Sequence, residues 1–372
     1  MTVSKNESCR TVCIKKKTTI GGQALIEGIM MRGPKKISMA VRNPQHEMVV
    51  ETWNYDMSGK PRFFRWPFLR GIFGYIDSMR FGYKCLMRSA EIAGLDEVED
   101  DKDKGKAEES RPDVSVENVE NSGSAEAGGV VPLDGRQDLS SAGKNEKKDS
   151  SGMMTAIMIV ASILGVALAL FLFKVLPETL YELLKKLFPA LSGTGYWHQF
   201  VRSLFVGILK IAILVGYMAL VALMKDIRRT FAYHGAEHKA VACYEAGLEL
   251  TVENVRAQKR FHPRCGTSFL IIMVIVSIFI TMFIPTTLSE NGVLNVLLRT
   301  IIGIGLLPVM MSLGYKLIRI AGKHDNFFVK IISAPGLWLQ RITTKEPDDD
   351  MIECAIVALK NVIPDDRSDD WK

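Results

Sequence analysis

The chain has 372 residues, of which 48 % are apolar, and a formal charge of +6. That apolar share, concentrated outside one long polar stretch, excludes a wholly soluble enzyme. The basic residues gather beside apolar runs without a stripe of interleaved aromatics, which excludes a nucleic-acid reader and points to a membrane surface.

In chain order, residues 1–17 are polar and basic and read as disordered. No apolar core of signal-peptide length follows them, so the amino-terminal third is expected to stay in the cytoplasm. Cys9 and Cys13 stand alone there, and the six cysteines of the chain form no disulfide framework. Residues 18–93 read as a small cytoplasmic α+β unit. Its glycine-rich start, residues 21–34, lacks the G-K-[ST] of a phosphate loop and is expected to turn so that Gln23, Glu27 and Arg32 meet. The competing reading is a buried turn with one Glu–Arg pair. Residues 37–42 and 48–53 alternate like a β-hairpin. Residues 61–67 are aromatic and cationic, as at a membrane interface, and 68–92 repeat apolar residues at helical spacing with arginines between. That helix is expected to lie on the membrane or to pack on the hairpin. Residues 94–151 are rich in Asp, Glu, Lys, Ser and Gly and read as a disordered linker, because such a segment buries too little apolar surface to offset its ordering entropy.

Residues 152–323 then predict four transmembrane helices, near 153–173, 199–224, 266–288 and 294–318. Between the first two, residues 177–189 suggest an interfacial helix. Lys210 lies inside the second span, Arg299 near the start of the fourth, and Pro308 marks a kink in it. Lysine and arginine crowd the segments before span one, between spans two and three, and after span four. By the positive-inside rule these face the cytoplasm, and both termini with them. The fold class is therefore a mainly α membrane protein with a small cytoplasmic α+β part. Residues 324–372 add cytoplasmic helices, the last with an acidic start at Asp348–Asp350 and an apolar face of Met351, Ala355, Ile356, Leu359 and Val362.

The cytoplasmic loop 225–265 carries the chemistry. On a helix, His234 and His238 project from one face and can hold one divalent metal, zinc first among them, with Glu237 beside them as base. Glu245, His262 and Cys265 are each candidates for the third ligand. Gln23, Glu27 and Arg32 are candidates for supporting it.

Four segments look like those of a known family: GGQALIEGIMMRGP at 21–34, AYHGAEHKAVACYE at 232–245, HPRCGTSFL at 262–270 and APGLWLQRITTKEPDDDMIECAIVAL at 334–359. In them the chain resembles the YqhQ family of bacterial integral membrane proteins, over all but the linker and the first residues. The resemblance implies a multi-pass protein of the bacterial cytoplasmic membrane and the label of a metal-dependent enzyme, with no substrate. The expected function is a metal-dependent hydrolase at the cytoplasmic membrane face, its partners the bilayer and a lipid head group or a membrane protein. The alternatives are a non-catalytic assembly or scaffold protein with a structural His cluster, and a small transporter using Lys210, Arg299 and the His cluster as a polar path.

Overall fold

The structure is a computed structural model that describes residues 17–55, 69–94, 150–191, 193, 195–285, 288–323, 326–366 and 368–370. The basic terminus, the aromatic–cationic segment 61–67 and nearly all of the polar linker lie outside the described residues.

The glycine-rich segment is a hairpin rather than a cluster of turns. Strand β1, Gly21–Leu25, pairs antiparallel with β2, Gly28–Arg32, through the turn Ile26–Glu27, where Glu27 takes φ 51. Strands β3, Lys36–Arg42, and β4, Met48–Asn54, form the predicted second hairpin, and the four strands lie in the order β1-β2-β3-β4. Alternation sends side chains to opposite faces, and here both faces are covered. Leu25, Met30, Ile37, Met39 and Val41 pack under helix α1, Leu69–Ile92, through Cys85, Phe81 and Leu86. Ile29, Met31 and Ala40 pack on the other side against helices of the middle and end of the chain. Cover on both faces explains why β2 and β3 are almost continuously buried. It also settles the choice for α1, which packs on the sheet through one side while Ile76, Met79 and Tyr83 remain exposed.

By compactness the chain divides into Met1–Glu99 with Leu172–Lys372 and, separately, Asp100–Phe171. The described part of the second unit is the apolar helix α2, Ser150–Leu170. A wide π turn, Phe171–Val175, precedes α3, Leu176–Leu187, where Pro177 near the helix start offers no N–H. Next come α4, Tyr196–Val221; α5, Lys225–Glu245; the short α6, Val252–Arg256; α7, Gly266–Thr281; α8, Gly292–Lys323, which keeps Pro308 inside it; α9, Phe327–Thr343; and α10, Asp349–Lys360.

Three helical stretches are long and apolar enough to cross a membrane: Val160–Leu187, Tyr196–Val221 and Leu297–Ile320. The expected fourth, α7, is apolar throughout but has 16 residues. At ~1.5 Å per residue it falls short of a ~30 Å hydrocarbon core. Its surroundings explain its composition. Ile271 packs with Leu214 of α4 and Leu339 of α9, and Ile272 and Val276 pack with Met310 of α8. Gly207 of α4 admits Ile278 so closely that a Cβ there would meet its side chain at 2.2 Å.

The largest buried cluster joins β2 and β3 to α5, α6 and α10, through Tyr233, Ala236, Ala240, Val255, Ile352, Ala355 and Leu359 among others. Residues from the beginning, middle and end of the chain thus share one core. The acidic start of α10 serves that assembly: Arg42 of β3 pairs with Asp350 and Glu353, and Arg256 of α6 bonds Asp349 at 2.9 Å.

Candidate metal centre

Helix α5 presents His234 and His238 one turn apart, with ring centroids 4.4 Å apart. Each ring has one nitrogen committed to a backbone carbonyl. His234 Nδ1 lies 2.9 Å from the Thr343 carbonyl oxygen, and His238 Nδ1 lies 2.6 Å from that of Arg260. A carbonyl only accepts, so both rings carry a proton on Nδ1, which leaves Nε2 as the nitrogen free for a ligand; on His234 a metal would displace the Nε2 proton that the ring donates to Cys265. Cys265 supplies the third group: His234 Nε2 is 3.2 Å from its Sγ. The donor atoms of His234, His238 and Cys265 all lie within 4.8 Å of one another.

The electrostatics agree with the geometry. Burial pushes the Cys265 thiol up, but His234, and His238 with it, holds it well below the ordinary thiol range. Cys265 is also the N-cap of α7 and accepts from the Thr267 N–H at 3.4 Å, a place that favours a thiolate. Burial would lower His234, but Cys265 and then Glu237 outweigh it, and its pKa is pushed up to about 9.

Glu237 is 6 % exposed and sits between α5 and the edge of the sheet. One oxygen accepts from the Gly22 N–H at 2.9 Å, while Oε2 is buried with no hydrogen-bond partner. A Cβ on Gly22 would come within 3.1 Å of the Glu237 carboxyl carbon, so the glycine is what lets strand and carboxylate meet.

The other expected ligands form a second group beside the first. The His262 ring lies 5.7 Å from that of His238. Glu245, eleven residues after His234 on the same helix face, accepts from the Thr18 N–H at 2.8 Å and is bonded by Arg264. Burial pushes His262 down, so its Nε2 accepts from Arg264 at 3.1 Å and its 3.5 Å approach to Glu245 is no ion pair. Of the three candidates for the third ligand, Cys265 is the one brought to the histidine pair.

Gln23, Glu27 and Arg32 do not come together. Gln23 on β1 and Arg32 on β2 share the α1 face but lie at different points along the hairpin, and Glu27 sits in its turn. Gln23 lies against Gly82 of α1. Glu27 pairs with Arg229 of α5 and accepts from the Tyr233 hydroxyl at 3.2 Å. Arg32 donates to Ser78 and Tyr55, at 2.5 and 2.6 Å. The carboxylate that reaches the cluster's flank is Glu237 instead. The sequence also concealed Lys239, 6 % exposed, which donates to the Arg256 carbonyl and pairs with Glu346 at 2.7 Å. A lysine inside the apolar run of α5 was a visible sign that a carboxylate had to be found for it.

A family model described as "Protein of unknown function (DUF1385)" matches residues 66–365. The chain belongs to this family. It is also 31 % identical over 347 residues, 92 % of each chain, to "Uncharacterized protein YqhQ" of Bacillus subtilis (strain 168), which bears out the resemblance to the YqhQ family. No solved structure matches the chain. All three donors of the cluster, and Glu237, fall within the stretch that matches the DUF1385 family, whereas Gln23, Glu27 and Arg32 precede it.

Proposed function

We propose that this protein is a four-span membrane hydrolase of the bacterial cytoplasmic membrane whose cytoplasmic body carries a divalent metal on His234, His238 and Cys265. The observation that carries the reading is that the donor atoms of His234, His238 and Cys265 lie within 4.8 Å of one another while Nδ1 of each imidazole is held by a backbone carbonyl. Two nitrogens and one sulfur suit zinc, and three protein ligands leave a coordination position open. Bound there, the metal supplies Lewis-acid chemistry and acidifies water. Glu237 Oε2, buried and unpartnered beside His234, is the group to take and return the proton. Gly22 N–H holds the carboxylate in place through its other oxygen.

The substrate follows from position. Cys265 caps the apolar helix α7, and α5 starts three residues after α4 ends, so the cluster sits where the apolar helices meet the polar body. A lipid head group or a chain segment emerging from the bilayer would reach it.

The span count rests on parity. The sheet, α5 and α10 share one hydrophobic core and must lie on one side of the membrane. The chain therefore crosses an even number of times between α5 and α10. If α8 crosses, one more helix between α5 and α10 crosses with it, and α7, which carries no charged residue, suits the bilayer better than α9 with Lys330 and Arg341, the bilayer or the flanking turns adapting to its short length. The basic residues of α5 and the loop after it, Lys225, Arg228, Arg229, Lys259 and Arg260, make that side the cytoplasm.

Burial favours a second reading, a structural centre in a membrane scaffold: His238 is 3 %, Glu237 6 % and Cys265 8 % exposed. Metal content of detergent-purified protein, combined with complementation of a deletion strain, separates the two. His234→Ala, His238→Ala and Cys265→Ala are expected to weaken metal binding by more than the ~10–100-fold that loss of an outer partner costs. Glu237→Gln is expected to keep the metal and fail to complement. If Glu237→Gln complements fully with metal bound, the centre is structural. If the three ligand variants hold metal like the parent, this cluster is not a metal site.

A further inference from the structure

Far from the His–Cys cluster, the membrane helices enclose a second set of charged groups. A cavity of ≈ 40 Å³ is lined by Glu178 of α3, Arg202 and Lys210 of α4, Thr281 at the end of α7 and Arg299 of α8. Four helices converge there. One water fills ~10–15 Å³ on such a measure, so the cavity holds roughly three water-sized groups, the bulk of one tetrahedral oxyanion.

The charges do not balance. Arg202 donates to Glu178 at 2.5 Å and uses the lone carboxylate of the cavity. Lys210 and Arg299 keep no hydrogen bond or ion pair with any described residue, although both are half-buried. Lys174, bonded to the Thr300 hydroxyl, adds a further cation nearby and repels Lys210. Three cations face one carboxylate at the cavity wall, an excess of two positive charges within apolar helices. Snorkelling does not remove that excess, because the stems converge on a common cavity rather than splaying to water. Charged groups at such depth are held by a counter-charge.

We infer that this cavity binds a dianionic phosphate group, either the phosphomonoester head group of a membrane lipid or free phosphate. A phosphomonoester carries about −1.5 to −2 charges at neutral pH, matching the excess. Arg202 and Arg299 offer guanidinium forks suited to phosphate oxygens, and Lys210 offers a point charge below them. On α4, Arg202 lies roughly 9 Å and Lys210 roughly 21 Å from the end at Tyr196, at 1.5 Å per residue. The site is therefore reached from the end of the bundle opposite the His–Cys cluster. Leu180, Leu183, Leu204 and Leu297 near it are exposed, a surface that acyl chains would cover.

The test uses full-length protein in detergent and asks for phosphate and phosphatidic acid binding by calorimetry and native mass spectrometry, with chloride and phosphatidylcholine as comparisons. The parent is expected to bind phosphatidic acid or inorganic phosphate at least 10-fold more tightly than the comparison ligands. Retention of phosphatidic acid through purification, displaced only weakly by phosphate, identifies the lipid as the source; tight binding of phosphate alone identifies the free anion. Lys210→Met and Arg299→Gln are each expected to weaken binding at least 10-fold. Glu178→Gln, which frees Arg202, is expected to strengthen it, and that gain cannot come from misfolding. His234→Ala should leave it unchanged, since the two sites are separate. The inference is overturned if the parent binds neither phosphate nor phosphatidic acid, if chloride competes equally, or if Lys210→Met and Arg299→Gln bind like the parent.

Discussion

Lys239 follows His238 directly, and its ammonium is buried between the Arg256 carbonyl at 3.0 Å and the Glu346 carboxylate at 2.7 Å. Arg260 shares Glu346 at 2.6 Å, and the Arg260 carbonyl holds His238, so this ion network props the His–Cys cluster from behind. The Glu346 carboxyl is held below its usual range by Lys239 first and by Arg260. A folded pKa below the unfolded one means that the stabilisation is present above the unfolded value, ~4.3, and is lost as pH falls through the folded value. Glu346→Gln is expected to cost at most about 1 kcal/mol at pH 7, because it leaves the buried Lys239 ammonium facing a neutral group but the carboxylate it removes is 62 % exposed and screened by solvent. In thermal unfolding that is a drop of at most about 2 °C for a chain of this length. The gap between variant and parent should close as the pH is lowered below 4; a gap independent of pH would mean that the pair contributes nothing through its charge.

Helix α5 is the element on which the polar body is assembled. One side meets the sheet, a second meets α10, and a third carries His234, His238 and Glu245 toward the loop before α7. The segment after α9 passes tightly over it. A Cβ on Gly235 would stand 2.0 Å from the Lys345 carbonyl oxygen, and the Lys345 N–H is bonded to the Phe231 carbonyl at 2.8 Å. Gly235→Ala must therefore push this strand of chain away. The expected cost is about 1–3 kcal/mol. The displaced segment includes Thr343, whose carbonyl fixes the His234 tautomer, so metal occupancy should fall as well. Gly216→Ala in α4, where a Cβ meets nothing within 4 Å, is the matched control and should behave like the parent. A Gly235→Ala protein with the parent's melting temperature and metal content would show that the crossing is loose.

At the scale of the whole molecule, the shared core of sheet, α5 and α10 constrains how the chain threads a membrane. On the proposed four-span reading α7 and α8 cross as a pair, which would put Glu290, exposed, in an extracytoplasmic turn and Lys259, also exposed, in a cytoplasmic loop. In intact cells, a cysteine at Glu290→Cys should react with an impermeant maleimide, and one at Lys259→Cys should react only after the membrane is opened. Protection of position 290 would mean that α7 does not cross. Labelling of position 259 in intact cells would invert the orientation.

The amino-acid sequence by itself determined the apolar helices, the second hairpin, α1, the acidic start of α10 and the i, i+4 histidine pair. All of these are local, set by periodicity, capping residues and spacing along one element. It did not determine where a short apolar run belongs. The uncharged, mostly apolar run of α7 reflects burial among three helices, and composition alone cannot tell that from burial in lipid. The glycine-rich segment was misread for a related reason: cover on both faces of the sheet erased the alternation that announces a strand. Only the tertiary structure decided the third donor of the cluster. Cys265, His262 and Glu245 were equal candidates by residue type, and the choice depends on α7 starting where α5 passes, 31 residues away from His234. The partners of the imidazoles are backbone carbonyls at 343 and 260, and Lys210 and Arg299 have no hydrogen-bond or ion-pair partner among the described residues; neither fact has a residue-type signature in the chain. Such groupings arise when distant segments close on one core, and that closure is set by packing rather than by any local pattern.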